Sequence, residues 1–431
     1  MPEFRPGRRA AVVAGLRTPF ARSATVFRDV PAVALARHAA RELIVRSELD
    51  GREVDEVIFG QVVPSVLTPN VAREVSLLPQ LLPSIPAYTL NRACASAAQA
   101  IANAADQIGL GHADTVIAGG VESLSDIPIL HSRRFSQILV DARKARSLGA
   151  RLAAFGRVRL RDLAPVAPAI AEPSTGETMG QSAEKMAKEN GIAREAQDRL
   201  ALMSHQRAAA ATADGRLGAE IAPWFGGRDM GQVVTEDNGI RADTSLEALA
   251  ALRPVFDRTY GSVTAGNSSP LTDGAAAVLL MAEEKARALG YQPLAFVRSY
   301  AVSAVDPGWQ LLMGPVYAVP KALERAGIGW GELGLVEIHE AFAAQVLSNA
   351  QAWSSRTWAE RLGLPGPVGE VDWERTNVMG GSIAVGHPFG ATGARLVTTM
   401  ANEMRRRDVQ FGLISICAQG GLGMAMVLER E

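Results

Sequence analysis

Cysteine is nearly missing from this chain: Cys94 and Cys417 are the only two in 431 residues, so no disulfide scaffold holds the fold. They stand far apart, and in a large chain read as cytosolic both thiols are expected to stay reduced, which leaves each to be explained by itself. An excess of charge of either sign is missing too. Lys and Arg number 44 against 45 Asp and Glu, a net −1, which supplies no global field for nucleic acid and leaves any charged partner to a local patch. No apolar run approaches the roughly 18 residues of a membrane span; GAAAVLLMA at 274–282 has the size of a core strand. The opening MPEFRPGRR carries no apolar leader segment before the strand-like RAAVVAGL, so a cytoplasmic protein without a cleaved leader is expected. What the chain does have is apolar bulk. With 48% hydrophobic residues over this length it can bury a large core, as two domains or as one domain with a large insertion.

Short β-branched runs alternate with Ala-rich segments: AAVVAG around 11–15, a helix near 31–47, EVIFGQV at 56–62, an Ala-rich helix after Cys94 and DTVIAGG at 114–120. This is the grammar of βαβ units. The order returns later, with LVEIHEAFA from 335, a glycine-rich turn GHPFGATG at 386–393 opening a helix through Met404, and FGLISIC at 411–417 before MAMVLE. Strand ends and helix starts then converge on one face, where α/β folds bind ligands. Periodicity alone leaves open whether this is internal duplication or the ordinary recurrence of βαβ units. We divide the chain into a first half, 1–120, completed by about 245–275, a loop domain at 121–244, and a second half at 276–431. Within the loop domain, 131–162 holds nine Arg or Lys against two Asp, with Phe135, Ile138, Leu139, Leu148, Leu152 and Phe155 as apolar members. That pattern suits a basic amphipathic helix or helical hairpin, for an anionic membrane surface or an acidic partner, or simply as a solvated face.

Four residues could carry chemistry. Cys94 in NRACAS opens a helix, where the positive end of the macrodipole favours thiolate; a lone cysteine there is also commonly a core residue. His387 lies in the GHPFGATG turn, whose glycines allow close approach to a cleft; it could take the Cys94 proton, or simply bond backbone. Cys417 runs into CAQGGLG, a turn whose amides could form an anion nest, and a second thiol invites acid–base work. His339, ending a strand in EIHEAFA, could donate to an oxyanion, and Glu340 could orient its neighbours. His38, His112, His131 and His205 are read as structural. The spacing of the four residues matches no CxxC or HExxH pattern, and no metal is expected.

NRACAS, HEAFA, GHPFGATG and CAQGGLG, in this order, resemble the four active-site motifs of the thiolases, and the resemblance runs from RTPFA at 17–21 to the last strand. Many thiolases carry Asn at the His339 position; HEAFA, DNGIR at 237–241, SRR before the basic segment and ETMGQSAE resemble the β subunit of the trifunctional fatty-acid oxidation complex and its bacterial counterpart. The resemblance implies an α/β thiolase fold, two duplicated βαβαβαββ halves packed as αβαβα layers with an inserted loop domain. It implies a 3-ketoacyl-CoA thiolase of β-oxidation working by ping-pong acyl-cysteine chemistry. Cys94 is then the nucleophile, His387 the base that activates it and an oxyanion donor, Cys417 the general acid and base, and His339 a donor at one oxyanion site. The amides of Cys94 and Gln419 make the other, Gln419 standing where the family often has glycine. Met179, Ser269 and Phe342 are the implied substrate and CoA contacts. Coenzyme A enters as co-substrate with no permanently bound cofactor. The implied partners are acyl-CoA substrates, a second copy in a homodimer, and a hydratase/dehydrogenase α subunit in a heterotetramer. A biosynthetic acetoacetyl-CoA thiolase or condensing enzyme is the nearest alternative, though a decarboxylating synthase has no need of Cys417. A non-catalytic thiolase-fold scaffold or lipid-binding partner is the alternative of another class, against which stands the presence of all four polar groups.

Overall fold

Alternation along Glu56–Gly60 decides where that segment goes: Ile58 enters one apolar cluster and Val57 and Phe59 another, all fully buried. A strand covered by helices on both faces requires this. The computed structural model, which describes residues 7–165, 171–226 and 231–431, builds two halves from such strands. The first half has β1 (Ala10–Arg17), β2 (Glu56–Gly60), β3 (Ala87–Leu90), β4 (Thr115–Glu122) and β5 (Thr272–Ala282), side by side in the order β1-β5-β4-β2-β3. The second has β6 (Ala295–Ala304), β7 (Leu335–Ile338), β8 (Phe411–Ala418) and β9 (Leu422–Glu429), in the order β6-β9-β8-β7. In both, the first strand of the half lies antiparallel to the last, the last antiparallel to the penultimate, and the penultimate parallel to the second. The duplication that periodicity left open is visible in this shared order. A short antiparallel contact of Ala11 and Val12 with Phe296 and Ala295 joins the two halves.

Three apolar clusters separate five layers. Helix α1 (Ala32–Arg46) packs Leu35 and Leu43 on one face of the first sheet, and α3 (Gly314–Ala326) and α4 (Ala343–Ser354) pack Val316, Val319 and Val346 on one face of the second. Between the sheets lie α2 (Ser96–Gly109) and α5 (Thr392–Arg407), which contribute Ala97, Ala98, Ile101, Leu396, Val397 and Met400 to the central cluster. Alanine fills the face of α2 because the two central helices nearly touch: a Cβ on Gly393 would overlap the backbone nitrogen and Cβ of Ala98. The parallel strands end together, so the segments after Gly60, Leu90, Ile338 and Ala418 meet at one edge of the layers.

The chain separates into two compact units, Met1–Asp126 with Glu172–Glu431, and Ile127–Ala171. Part of the sequence-expected loop domain, Glu172 onward, thus sits in the same unit as both halves. The smaller unit contains two helices, Arg133–Lys144 and Leu148–Phe155, capped by Ser132 and Ser147, whose hydroxyls accept from Phe135 and Ala150 N–H at 3.2 Å. Ile138, Ala142 and Ala154 are buried, whereas Leu148, Leu152, Phe155 and Leu160 face outward, Leu160 at 89% exposure. The opening residues 1–6, on which the reading of the leader rests, and stretches 166–170 and 227–230 of the expected loop domain lie outside the described residues. No helix among the described residues is long and apolar enough to cross a membrane.

The crossing of α2 and α5 gives a direct test of the central layer. Gly393→Ala should lower the urea unfolding free energy by about 1–3 kcal/mol through overpacking. An unchanged midpoint would mean the helices separate freely.

Candidate active site

The turn after β3 is set by short-range hydrogen bonds. Ala93 sits at φ 45°, a left-handed conformation costly for a residue with a side chain. Its N–H donates to Asn91 Oδ1 at 2.8 Å, and its carbonyl accepts from Ser96 Oγ at 2.6 Å while that same oxygen accepts from Arg92 N–H at 2.8 Å. The strained turn presents Cys94 beside the start of α2. Backbone N–H groups of Cys94 itself and of Gln419 point at its sulfur, and His387 Nε2 lies 3.2 Å away. Cys94 keeps partial access to solvent, yet the sulfur is enclosed enough that burial pushes the thiol up to about 12. Loss of hydration opposes the helix start and the two amides here, so the thiol keeps its proton at rest and needs a base to give it up.

His387 is delivered by the second half. Gly386, at φ 109°, makes the bend before it, and the His387 N–H donates to Thr272 Oγ1 at 3.0 Å. The ring lies between His339, with centroids 4.1 Å apart, and Phe389, at 4.9 Å. Burial, and then the positive charge of Arg395, push its pKa down to about 3, so the imidazole is neutral. Its tautomer follows from its neighbour. Thr392 Oγ1 lies 2.6 Å from His387 Nδ1 and 3.0 Å from the Pro388 carbonyl; with the hydroxyl proton on that carbonyl both contacts are satisfied, Nδ1 carrying the ring proton and donating to Oγ1. Nε2 is left with a lone pair facing the Cys94 thiol. A base within reach of a nucleophile, oriented by a third group, is what general-base activation needs.

His339 follows Ile338 at the end of β7, with its N–H donating to the Ser415 carbonyl at 2.8 Å. Its Nδ1 lies 2.9 Å from Ser382 Oγ, and its buried Nε2 has no hydrogen-bond partner among the described residues. Burial holds its pKa well below the ordinary histidine value. Glu340 is buried and fully engaged: Oε1 accepts from Asn377 Nδ2 at 2.7 Å, and Oε2 from Ser204 Oγ at 2.7 Å and Ile383 N–H at 3.2 Å. Cys417, next to last in β8, is 1% exposed; burial and the neighbouring Cys94 push its thiol well above the usual range.

Cys94, His339 and His387 thus meet, their ligand-type atoms within 4.8 Å of one another, although their sequence spacing matches no metal motif. Met179 and Phe342 belong to the apolar cluster of the second half, Phe342 edge-on to Phe256 with centroids 6.1 Å apart. Ser269 is tied to the HEAFA segment, its N–H and Oγ both donating to the Ala341 carbonyl, at 2.9 and 3.1 Å. The other histidines are engaged elsewhere: His38 with the Pro223 carbonyl, His112 with Gln107, His131 edge-on to Phe135, and His205 accepting from Arg241 N–H. Sequence reasoning missed Thr392, Ser382, Arg395 and Glu122. Glu122 ends β4, and its carboxylate accepts from Val62, Val63 and Gly390 N–H, each at 3.0 Å, pinning the His387 turn to the first half. Only Thr392 left a signal, a hydroxyl inside the GHPFGATG turn itself.

Residues 10–284 match the family model of the thiolase N-terminal domain and residues 291–430 that of the thiolase C-terminal domain. The chain is 51% identical over 431 residues to a 3-ketoacyl-CoA thiolase of Erwinia tasmaniensis, covering 99% of this chain and 97% of that protein. It is 52% identical over 428 residues to a 3-ketoacyl-CoA thiolase of Yersinia pestis, covering 99% and 98%. Among solved structures it is similar to Bacillus anthracis acetyl-CoA acetyltransferase (TM-score 0.82, 33% identity) and to human mitochondrial 3-ketoacyl-CoA thiolase (TM-score 0.82, 32% identity), with 98% of each chain covered in both comparisons.

The neutral pair predicts a distinctive reactivity. Alkylation of Cys94 by iodoacetamide should stay level as pH falls through the ordinary histidine range, because His387 titrates only near 3 and remains a base above it. In His387→Ala the rate should drop and then climb about tenfold per pH unit with the thiolate fraction. Ultraviolet thiolate absorbance from Cys94 in the resting protein at neutral pH would contradict the pair as described.

Proposed function

Since the chain belongs to the thiolase family, we propose that Cys94 and His387 carry out the CoA-dependent cleavage of 3-ketoacyl-CoA to acetyl-CoA and a shortened acyl-CoA. The activity is that of an acetyl-CoA C-acyltransferase of fatty acid metabolism, the activity named for relatives at half identity over nearly the whole chain. The observation that carries the site assignment is the lone pair of His387 Nε2, 3.2 Å from the Cys94 sulfur.

As the sulfur attacks the 3-keto carbon, the thiol proton passes to His387 Nε2, so no free thiolate need form in a site that resists it. The charge arriving on the keto oxygen is held by the Cys94 and Gln419 amides, the same N–H groups that point at the resting sulfur. Breaking the C2–C3 bond leaves an enolate of acetyl-CoA. His387, now carrying a proton on Nε2, donates to its oxygen together with His339, and Cys417 protonates its carbon. A neutral, high-pKa thiol is suited to that step, because it arrives with its proton. Cys417 then takes the proton of a fresh CoA, whose sulfur attacks the acyl-Cys94 thioester; the carbon–sulfur bond to Cys94 breaks, the departing sulfur recovers the proton held on His387 Nε2, and the shortened acyl-CoA leaves. Coenzyme A is a co-substrate throughout. Met179, Ser269 and Phe342 are assigned to CoA by the resemblance of ETMGQ, TAGNSS and HEAF to the family's motifs, Phe342 beside the pantetheine.

Assembly belongs to the same proposal. β3 ends the sheet among the described residues and leaves an edge for a second copy, and the resemblance of the motifs extends the assembly to a hydratase/dehydrogenase α subunit. In the unit Ile127–Ala171, outward Leu148, Leu152, Phe155 and Leu160 stand among nine cations of 131–162, of which Arg134 and Arg157 pair with Asp162 and Asp141, a composition suited to an anionic membrane surface.

Cys94→Ala should abolish thiolysis of 3-ketoacyl-CoA, and full residual activity would exclude Cys94 as nucleophile. Cys417→Ala should still accept an acyl group on Cys94 while losing exchange of the acetyl-CoA α-protons with solvent; unchanged exchange would remove its role. Binding to anionic vesicles is expected to weaken as salt rises, and no binding at low salt would end the membrane reading.

A further inference from the structure

Ser382 and Arg395 lie outside the set of groups that touch the reacting atoms, yet their hydrogen bonds determine what His339 can do. Arg395 is 1% exposed; its Nη2 donates to Ser382 Oγ at 3.0 Å, and its Nη1 faces Glu337 at 3.4 Å. A guanidinium only donates, so Ser382 accepts there and keeps its own proton to give. The one acceptor within reach of that hydroxyl among the described residues is His339 Nδ1, at 2.9 Å. Were Nδ1 protonated instead, two buried groups would lack partners, the Ser382 proton and the His339 Nε2 lone pair. With the serine donating, one remains, an Nε2–H without an acceptor in the resting protein among the described residues.

We propose that Arg395 and Ser382 form a positioning relay that fixes the His339 proton on Nε2, so that His339 meets the enolate oxygen as a preset donor; this rests on the reading of His339 as an oxyanion donor. The two stacked imidazoles then hold opposite tautomers. His387 keeps its proton on Nδ1 through Thr392 and works as the base, while His339 keeps its proton on Nε2 through Ser382 and works as the donor. Burial keeps the His339 ring neutral, so a single ring proton has to be placed. The same arrangement works against a cation ligated through His339 Nε2, because that ligation needs the lone pair the relay covers with a proton. Its effect is confined to one half of the chemistry. The acyl site is built from backbone amides and does not depend on it, whereas the enolate site does.

The test uses the full-length protein labelled with 15N-histidine, whose six histidines give a tractable spectrum, with His339→Ala to assign the ring. Long-range proton–nitrogen correlations on the wild type should show His339 protonated at Nε2 with a hydrogen-bonded bare Nδ1, and His387 the reverse. A His339 proton on Nδ1 overturns the inference without recourse to any variant. Ser382→Ala should spread the His339 proton over both nitrogens and lower kcat for thiolysis and α-proton exchange by about tenfold. KM and acyl exchange between acyl-CoA and CoA should stay as in the wild type. Wild-type exchange in Ser382→Ala, or an equal loss in acyl exchange, overturns the relay. The underlying reading fails separately: if His339→Ala exchanges α-protons at the wild-type rate, His339 is not the donor, whatever tautomer the wild type shows.

Discussion

The contact between the Cys94 thiol and His387 Nε2 joins the two halves of the molecule chemically, and the rest of the structure can be read as the means of holding it. Its partners come from different ends of the chain, 293 positions apart. Neither is ionised at rest, because the site is too enclosed to solvate charge on either. A contact between two neutral groups gains little from attraction and must be kept by geometry. That geometry is supplied by backbone strain at Ala93, by the Thr392 hydroxyl behind the imidazole, and by Glu122, which ties Gly390 N–H to Val62 and Val63 across the halves.

Enclosure also explains where charge is allowed. Arg17 forks onto Asp237 at 2.6 and 2.8 Å, with both side chains almost wholly buried, and Arg395 faces Glu337. Replacing such pairs with apolar residues often costs little stability, so their worth lies in directing the chain. Arg17 ends β1, and Asp237, which also accepts from Phe20 N–H at 2.7 Å, brings the DNGIR segment against that strand. Arg395 uses one nitrogen on Glu337 and another on Ser382, so a buried ion pair becomes a device for placing a proton.

Strand and helix positions were legible because they follow from periods of two and about 3.6 in residues that are buried on known faces. The helix read near 31–47 is Ala32–Arg46, and the strand read at 411–417 is Phe411–Ala418. The meeting of Cys94, His339 and His387 was legible through four motifs in register, and not from spacing, which carries no image of two sheets packed through a shared helical layer. The state of the Cys94 thiol was legible only in part: a helix start is visible in sequence, whereas the enclosure that raises the thiol is built by residues far along the chain. Ser382 and Arg395 were invisible in the same way. Each is an ordinary polar residue until the fold sets one against the other and both behind His339.

The two charge-stabilising sites of the proposed mechanism differ in what they demand of the fold. The acyl site uses the Cys94 and Gln419 amides, whose protons cannot move and whose positions depend only on backbone, so a glutamine can stand there without altering the donor. The enolate site uses imidazoles, and an imidazole has two nitrogens and, when neutral, one proton. A side-chain donor of this kind is useful only if something behind it decides which nitrogen holds the proton. Thr392 makes that choice for His387, and on the proposed reading Ser382 makes the opposite one for His339. Two adjacent rings of the same chemistry can then serve opposite roles because the hydroxyls behind them, each with a single proton, are committed in opposite directions.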